Sequence, residues 1–108
     1  EFVELLNTAI AFANGKKNHV FVVSIPDYGV TPFGMAGDPQ KIAQEIDAYN
    51  AINKQESEQA GVNYTDITPI SRGAATDPSL VAEDGLHPSA KMYTAWVNLL
   101  EVAVQNKF

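Results

Sequence analysis

The chain has 108 residues, of which 45% are hydrophobic and 19% charged, an ordinary globular composition and enough for one small domain. Seven basic and thirteen acidic residues give a net charge of −6, which disfavours nucleic acid and anionic membranes as partners. The chain has no cysteine, which excludes disulfides, a thiolate nucleophile and a thiolate metal site.

The first segment predicts a helix followed by a buried strand. Residues 2–13 place their apolar side chains on one helical stripe, and Asn14-Gly15 ends this helix because both residues tolerate left-handed dihedrals. The run 19–25 is rich in β-branched and aromatic residues, which predicts a strand buried on both faces, as in a parallel sheet between two helix layers. Pro26 stops this strand.

The middle of the chain predicts a glycine-rich loop and a long helix. The loop 27–37 contains three glycines, one proline and two aromatic residues. Asp38 can cap the following helix, and Pro39 suits its first position. Apolar side chains then recur at helical spacing, so the helix is expected to continue to Gly61.

The last third predicts a second strand, a long loop and a final helix. Residues 62–68 form the strand, and residues 69–88 form the loop. The final helix is amphipathic, with an apolar face built from Met92, Trp96, Leu99, Leu100 and Ala103. No apolar run is long enough to span a bilayer and no signal peptide is visible, and neither observation assigns a compartment.

The element order α-β-α-β-α predicts an α/β fold, because strands that alternate with helices form parallel sheets with right-handed crossovers. Two parallel strands alone do not make a stable sheet of this kind, since their faces and edges need neighbours. We therefore expect this sequence to be part of a larger α/β domain that also has an N-terminal half.

One short segment, Asp84-Gly85-Leu86-His87-Pro88-Ser89, combines an acid, a histidine, a glycine and a proline. An Asp three residues before a His, across a turn that contains glycine, can bring its carboxylate to Nδ1 of the imidazole. Nε2 is then free to take a proton from a nucleophile. The same residues also fit an ordinary loop before a helix N-terminus, and the six residues alone leave both interpretations open.

A wider resemblance favours the catalytic interpretation. The order strand–SIPDYGVTPFG–helix–VNYTDITPISR–loop–DGLHPS–helix resembles the C-terminal half of a GDSL/SGNH-family serine hydrolase. The resemblance implies a three-layer α/β/α, flavodoxin-like domain with a Ser-His-Asp triad, in which Asp84 and His87 match the Asp-x-x-His motif. It also implies that the complete domain hydrolyses small carboxylic esters and needs neither a cofactor nor a metal.

The family's other motifs are missing from this sequence. Its nucleophile lies in an N-terminal Gly-Asp-Ser motif, whereas Gly37-Asp38-Pro39 has proline at the serine position and is interpreted as a helix start. Residues 61–64 only faintly resemble the family's Gly-x-Asn-Asp block. We therefore expect residues 1–108 to be the C-terminal half of one SGNH domain. Its partner would be the missing N-terminal half, in the same chain or swapped, and the isolated chain would be inactive.

Two alternatives remain beside this hypothesis: an inactive fragment, or a flavodoxin-like binding module that carries DGLHPS as a loop. No serine of the chain is predicted to be the nucleophile. Ser24, at the end of the first strand, is expected to be a buried hydroxyl bonded to backbone. Ser71 and Ser79 are interpreted as ordinary loop serines, and Ser89 as the cap of the last helix.

Further polar residues have both functional and structural interpretations. His19 opens the first strand and is expected at the rim away from catalysis. Asp27 and Asp66, near one rim, suggest either a metal or acid–base pair or simple loop caps. Arg72 would either clamp an anion or pair with an acid.

The glycine-rich loop, with Asp27, Tyr28 and Phe33, is the candidate substrate-shaping element. The alternative is an ordinary connection that packs Phe33 over the core.

Overall fold

The computed structural model describes residues 1–108, which form five helices and two strands. In chain order these are α1 Phe2–Phe12, β1 Phe21–Val23, α2 Pro32–Met35, α3 Pro39–Ala60, β2 Asn63–Thr65, α4 Thr68–Arg72 and α5 Ala90–Gln105. Single 3₁₀ turns occupy Lys17–His19, Tyr28–Val30, Gly73–Ala75 and Pro78–Leu80. The predicted order α-β-α-β-α is confirmed, with the short helices α2 and α4 added to it. No helix combines the length and the apolar character that crossing a membrane requires.

The two strands pair in parallel, as predicted, in a register that sets Val22 opposite Tyr64. Backbone hydrogen bonds extend the ladder at both ends, from Asn63 N to Val20 O and from Ser24 N to Thr65 O, each 3.0 Å. The long helix α3 connects the strands, as a parallel pair requires. These elements therefore form a partial α/β fold, as predicted.

Local sequence signals set the ends of the long helices. The Asp38 carboxylate accepts from Lys41 N at 3.1 Å at the start of α3, and Gly61 ends this helix with φ of 78°. The Ser89 hydroxyl accepts from Met92 N at 3.3 Å at the start of α5. The predicted caps Asp38 and Ser89 are both confirmed, because each depends only on residues within one helical turn.

Three expectations about local structure are wrong. The second strand spans Asn63–Thr65 and not residues 62–68, because α4 already begins at Thr68. The segment 69–88 is not one long loop, since α4 and two 3₁₀ turns lie at its start. The first strand is shorter than predicted and is not buried on both faces, because Val23 is 40% exposed and Ile25 is 36% exposed. The sheet has only two strands, so β1 has a neighbour on one side only.

The core is small and the molecule is flat. Leu6, Val20 and Val62 form the buried cluster that joins α1 to the sheet. The radius of gyration is 15.1 Å, whereas a compact domain of this size has roughly 13 Å, and the smallest dimension is 18 Å. Large apolar side chains therefore remain exposed on α1, β1 and α5.

Candidate active site

The segment that carries Asp84 and His87 folds as a small closed hairpin. An antiparallel bridge joins Val81 to Pro88, and Ala82 N donates to His87 O at 2.8 Å. Gly85 has φ of 75°, a left-handed conformation that residues with a Cβ rarely adopt, so the turn depends on glycine here. The hairpin fixes the backbone of both candidate catalytic residues.

The Asp84 carboxylate holds the imidazole of His87. Its Oδ1 accepts from the backbone amides of Leu86 and His87, both at 2.9 Å, and its Oδ2 is hydrogen-bonded to His87 Nδ1. The two amides and the imidazole lower the pKa of Asp84 from 3.8 to about 2, so the carboxylate is ionised at neutral pH. Nδ1 is engaged and the His87 side chain is 70% exposed, and Nε2 has no hydrogen-bond partner in the chain. The contact expected from the Asp-x-x-His spacing is present.

Ser24 does not complete a triad. It is 3% exposed, and its hydroxyl accepts from Ile67 N at 2.7 Å and Thr68 N at 3.1 Å. The same oxygen lies 2.9 Å from Asp66 Oδ1, to which it donates. The prediction of a buried hydroxyl bonded to backbone is confirmed.

The other four serines are also unavailable to His87. Ser71 donates to a backbone carbonyl of its own helix at 2.6 Å. Ser79 donates to a neighbouring carboxylate at 2.6 Å, and Ser89 donates to the carbonyl of Ser79 at 2.7 Å. Ser57 is 0% exposed within α3 and makes no hydrogen bond through its hydroxyl. No serine of this chain is therefore poised to give a proton to His87.

Asp27 and Arg72 form an ion pair at the start of the glycine-rich loop, in which the carboxylate is buried and the guanidinium is partly exposed. The Asp27 side chain is 2% exposed, and its carboxylate accepts from Gly29 N at 2.8 Å and from Arg72 Nε at 3.0 Å. Arg72 Nη2 also donates to Asp47 at 2.8 Å, and hydrogen bonds to Asp47 and Asp27 raise the pKa of the guanidinium. Of the two interpretations of Arg72, the structure shows the ion pair with acids.

The carboxylates Asp27 and Asp66 serve different local networks. Asp27 accepts from Gly29 N and Arg72, whereas Asp66 accepts from Ser24 and from Thr68 N at 3.2 Å. No group of three or more histidine, aspartate or glutamate side chains is placed to hold a metal ion. The structure thus shows both carboxylates bonding to nearby backbone and side-chain groups.

The glycine-rich loop contacts the hairpin of His87. Phe33 N donates to Gly85 O at 3.0 Å, which ties the start of α2 to the left-handed turn. Phe33 is 62% exposed and Tyr28 is 43% exposed, so the alternative in which Phe33 packs over the core is wrong. The main chain of α2, and not the phenyl ring, makes the contact, because the helix directs that ring towards solvent.

A cavity of about 330 Å³ lies beside His87 and Tyr28. Its lining comes from four separated segments of the chain: Ile25, Pro26, Asp27, Tyr28 and Thr31; Ser71 and Ala74; Leu80, Val81, Leu86, His87 and Pro88; and Met92 and Trp96. The sequence showed Met92 and Trp96 only as members of an amphipathic face. No local pattern marks them as cavity residues, because the cavity exists only when the four segments meet.

His19 is not part of this arrangement. Its ring stacks on Phe108 with 3.9 Å between the ring centroids, and it does not line the cavity. His87 is therefore the histidine that the fold places with an acid and a cavity.

One of the comparisons with known proteins gives a match. A family model described as GDSL-like Lipase/Acylhydrolase family matches residues 1–95. Neither the search of curated proteins nor the search of solved structures gives a match.

Proposed function

Because the chain belongs to the GDSL-like lipase and acylhydrolase family, we propose that Asp84 and His87 are the acid–base pair of a serine-dependent ester hydrolase. The observation that carries the proposal is the hydrogen bond from His87 Nδ1 to Asp84, which leaves Nε2 exposed beside an open cavity. Hydrolase membership fixes the general chemistry, and the geometry of the pair supports the specific roles.

In the proposed reaction His87 transfers one proton in acylation and a second one in deacylation. Nε2 takes the proton of a serine hydroxyl while the serine oxygen attacks the ester carbonyl, and then gives it to the departing alcohol. A water molecule then attacks the acyl-enzyme while Nε2 takes one of its protons, and the serine oxygen leaves the acid and takes that proton from Nε2. Asp84 keeps the proton of the neutral imidazole on Nδ1 and stabilises the imidazolium that forms in each step.

In this reaction the nucleophilic serine and the oxyanion donors come from outside these 108 residues. All five serines of the chain are hydrogen-bonded elsewhere or fully buried. The thin shape and the exposed apolar side chains of β1 and α5 also support a complementary N-terminal half that covers them. This half would belong to the same chain or to a swapped partner, and the 108 residues would form the C-terminal half of one domain.

The second candidate function is a binding module without activity of its own. All five serines of the chain are hydrogen-bonded elsewhere or fully buried, which favours this alternative. Unlike the hydrolase, a binding module would need neither Asp84 nor His87.

Hydrolysis of p-nitrophenyl acetate separates the two. We expect the isolated chain to show no more hydrolysis than His87→Ala, and we expect activity when an N-terminal half with a Gly-Asp-Ser motif is added. In that complete domain, Asp84→Asn should lower kcat by on the order of 10⁴, because an amide favours the wrong tautomer. His87→Ala should be as damaging.

His19→Ala is the matched control, since this histidine lies outside the cavity and should leave the rate unchanged. Full activity of His87→Ala in the complete domain would refute the catalytic role. Hydrolysis by the isolated chain above the level of His87→Ala would refute the location of the serine.

A further inference from the structure

We infer that Thr31 is a positioning residue for His87, whose imidazole it orients through α2 and the turn at Gly85. The inference rests on the proposed function, because it concerns the geometry of the same acid–base pair. It gives the glycine-rich loop the role of holding this pair, which differs from the substrate-shaping role that the sequence suggested.

One peptide group of the turn is held at both of its ends. Its carbonyl oxygen, Gly85 O, accepts from Phe33 N at 3.0 Å. Its N–H, on Leu86, donates to Asp84 Oδ1 at 2.9 Å. Because a peptide group is planar, its C=O and its N–H rotate together, so a rotation of the carbonyl also turns the N–H away from the carboxylate. The bond from Phe33 N therefore holds the Asp84 carboxylate in place, and this carboxylate in turn holds Nδ1 of His87.

The pKa of Asp84 agrees with this arrangement. The hydrogen bond from Leu86 N is the largest of the causes that lower the pKa of this carboxyl to about 2. The peptide group that Phe33 N holds is thus the one whose N–H contributes most to keeping the carboxylate ionised.

Thr31 fixes the start of α2, which carries Phe33. The Thr31 hydroxyl accepts from Gly34 N at 3.1 Å and donates to Tyr28 O at 2.6 Å, and the residue is only 6% exposed. Helix α2 has four residues, and a helix this short has little stability of its own. Its direction, and with it the direction of the Phe33 N–H, therefore depends on the hydroxyl that caps it.

The loop before Thr31 is anchored to α4. Asp27 N donates to Ser71 Oγ at 2.9 Å, and the Asp27 carboxylate accepts from Arg72 Nε at 3.0 Å. Both partners belong to α4. A continuous series of contacts thus connects α4 with the turn of the acid–base pair, and the Thr31 hydroxyl lies in its middle.

The contact between α2 and the turn can be measured in the unaltered 108-residue chain. NMR should detect a scalar coupling across the hydrogen bond between Phe33 N and Gly85 C′. The bond from Ala82 N to the carbonyl of His87, at 2.8 Å, provides the internal reference. If the reference coupling is seen and the coupling to Gly85 is not, the inference is wrong.

Thr31→Val tests the hydroxyl, because valine keeps the branched shape and loses both hydrogen bonds. By carboxyl NMR, we expect Asp84 to titrate well above 2 in this variant, towards its ordinary 3.8. Nitrogen shifts of the neutral His87 ring should show part of its proton moving from Nδ1 to Nε2. Thr31→Ser keeps the hydroxyl and should restore both signals. If circular dichroism shows that Thr31→Val is unfolded, Thr31→Cys replaces it, with a smaller shift in the same direction, since a thiol bonds weakly.

Thr68→Val is the matched control for a general loss of stability. Thr68 is 3% exposed, and its hydroxyl donates to Ile25 O at 2.7 Å, away from α2 and the turn. Urea unfolding should show a similar loss of stability for this variant and for Thr31→Val, because each removes a buried hydroxyl from its partners. The signals of Asp84 and His87 should stay unchanged in Thr68→Val. An equal change of these signals in both variants would overturn the positioning role.

Kinetics of the complete domain distinguish positioning from substrate shaping. If Thr31 positions the base, Thr31→Val should lower kcat for p-nitrophenyl acetate by about 10- to 100-fold and leave KM unchanged, since a misplacement of about 1 Å can cost about 100-fold. A raised KM with an unchanged kcat would mean that the loop binds substrate, and would contradict the inference.

The inference and the proposed function fail separately. If Thr31→Val leaves the signals of Asp84 and His87 unchanged, the positioning role is wrong, whereas inactivity of His87→Ala would still support the hydrolase. If His87→Ala keeps full activity, the hydrolase is wrong, whereas the coupling and the titration would still report how Thr31 orients the turn.

Discussion

Arg72→Met is expected to destabilise the chain strongly, because it removes the cation from a buried carboxylate while keeping most of the apolar stem. The Asp27 side chain is only 2% exposed, and Arg72 Nε lies 3.0 Å from its Oδ2. Breaking a buried ion pair by removing one partner costs about 3–5 kcal/mol, since a charge is left without compensation. Asp27 keeps its bond to Gly29 N, and the Arg72 side chain is 35% exposed, so water can partly replace it. We therefore expect about 3 kcal/mol.

Asp47→Asn is the matched control for the same guanidinium. The Asp47 side chain is 61% exposed, and exposed ion pairs contribute only about 0–1 kcal/mol. The hydrogen bond to Asp47 contributes most to the raised pKa of Arg72. Because Asp47 is exposed and Asp27 is buried, we expect the loss of the Asp27 contact to account for most of the destabilisation. Comparing the two substitutions therefore shows whether the loss of stability follows from the ion pair itself or from the burial of its carboxylate.

The assay is urea unfolding at pH 7, followed by circular dichroism. With m of about 1–3 kcal/mol/M, a loss of 3 kcal/mol lowers the midpoint of Arg72→Met by roughly 1–3 M. The double variant Asp27→Asn/Arg72→Met should be more stable than Arg72→Met alone, since the neutral amide needs no cation. Equal losses for Arg72→Met and Asp47→Asn, or no recovery in the double variant, would refute this account.

Two further predictions concern the loop and the hairpin. Gly34→Ala should destabilise the chain by about 3 kcal/mol in the same assay, because its Cβ would lie 2.1 Å from Tyr28 O. In the control Gly37→Ala the nearest atom to the Cβ is 3.6 Å away, so stability should change by less than about 0.5 kcal/mol. Similar losses for both variants would contradict the close approach at Gly34. Carboxyl NMR should show Asp84 titrating near 2 in the folded chain and near 3.8 in urea. Because the folded pKa is the lower one, the stabilisation is complete above pH 3.8 and is lost as the pH falls through 2, and a folded midpoint near 3.8 would contradict the hydrogen bonds of this carboxylate.

The sequence predicted features that depend on neighbouring residues. Asp38 and Ser89 were recognisable as caps because the group that each one caps lies within one helical turn. The contact between Asp84 and His87 was predictable for the same reason, since only two residues separate them, one of which is the glycine of the turn. The element order also followed from the spacing of apolar residues along the chain, which does not depend on the size of the core.

Long-range contacts decided the rest. Arg72 lies 45 residues after Asp27 in the chain, and nothing in the sequence distinguished its ion pair from an anion clamp. The burial of the first strand was misjudged, because burial depends on neighbours that a hydrophobic run implies but does not supply. Phe33 was equally ambiguous until the orientation of α2 was known.

The sequence by itself determined the contact between Asp84 and His87, the helix caps and the alternation of strands and helices, since all three depend on short spacings along the chain. Only the tertiary structure decided that Ser57 is fully buried, and that Met92 and Trp96 meet distant loops around one cavity. Hydrogen-bond partners and cavity walls are chosen by proximity in space. Spacing in the chain fixes such proximity for Asp84 and His87 but leaves it free between α5 and the loops.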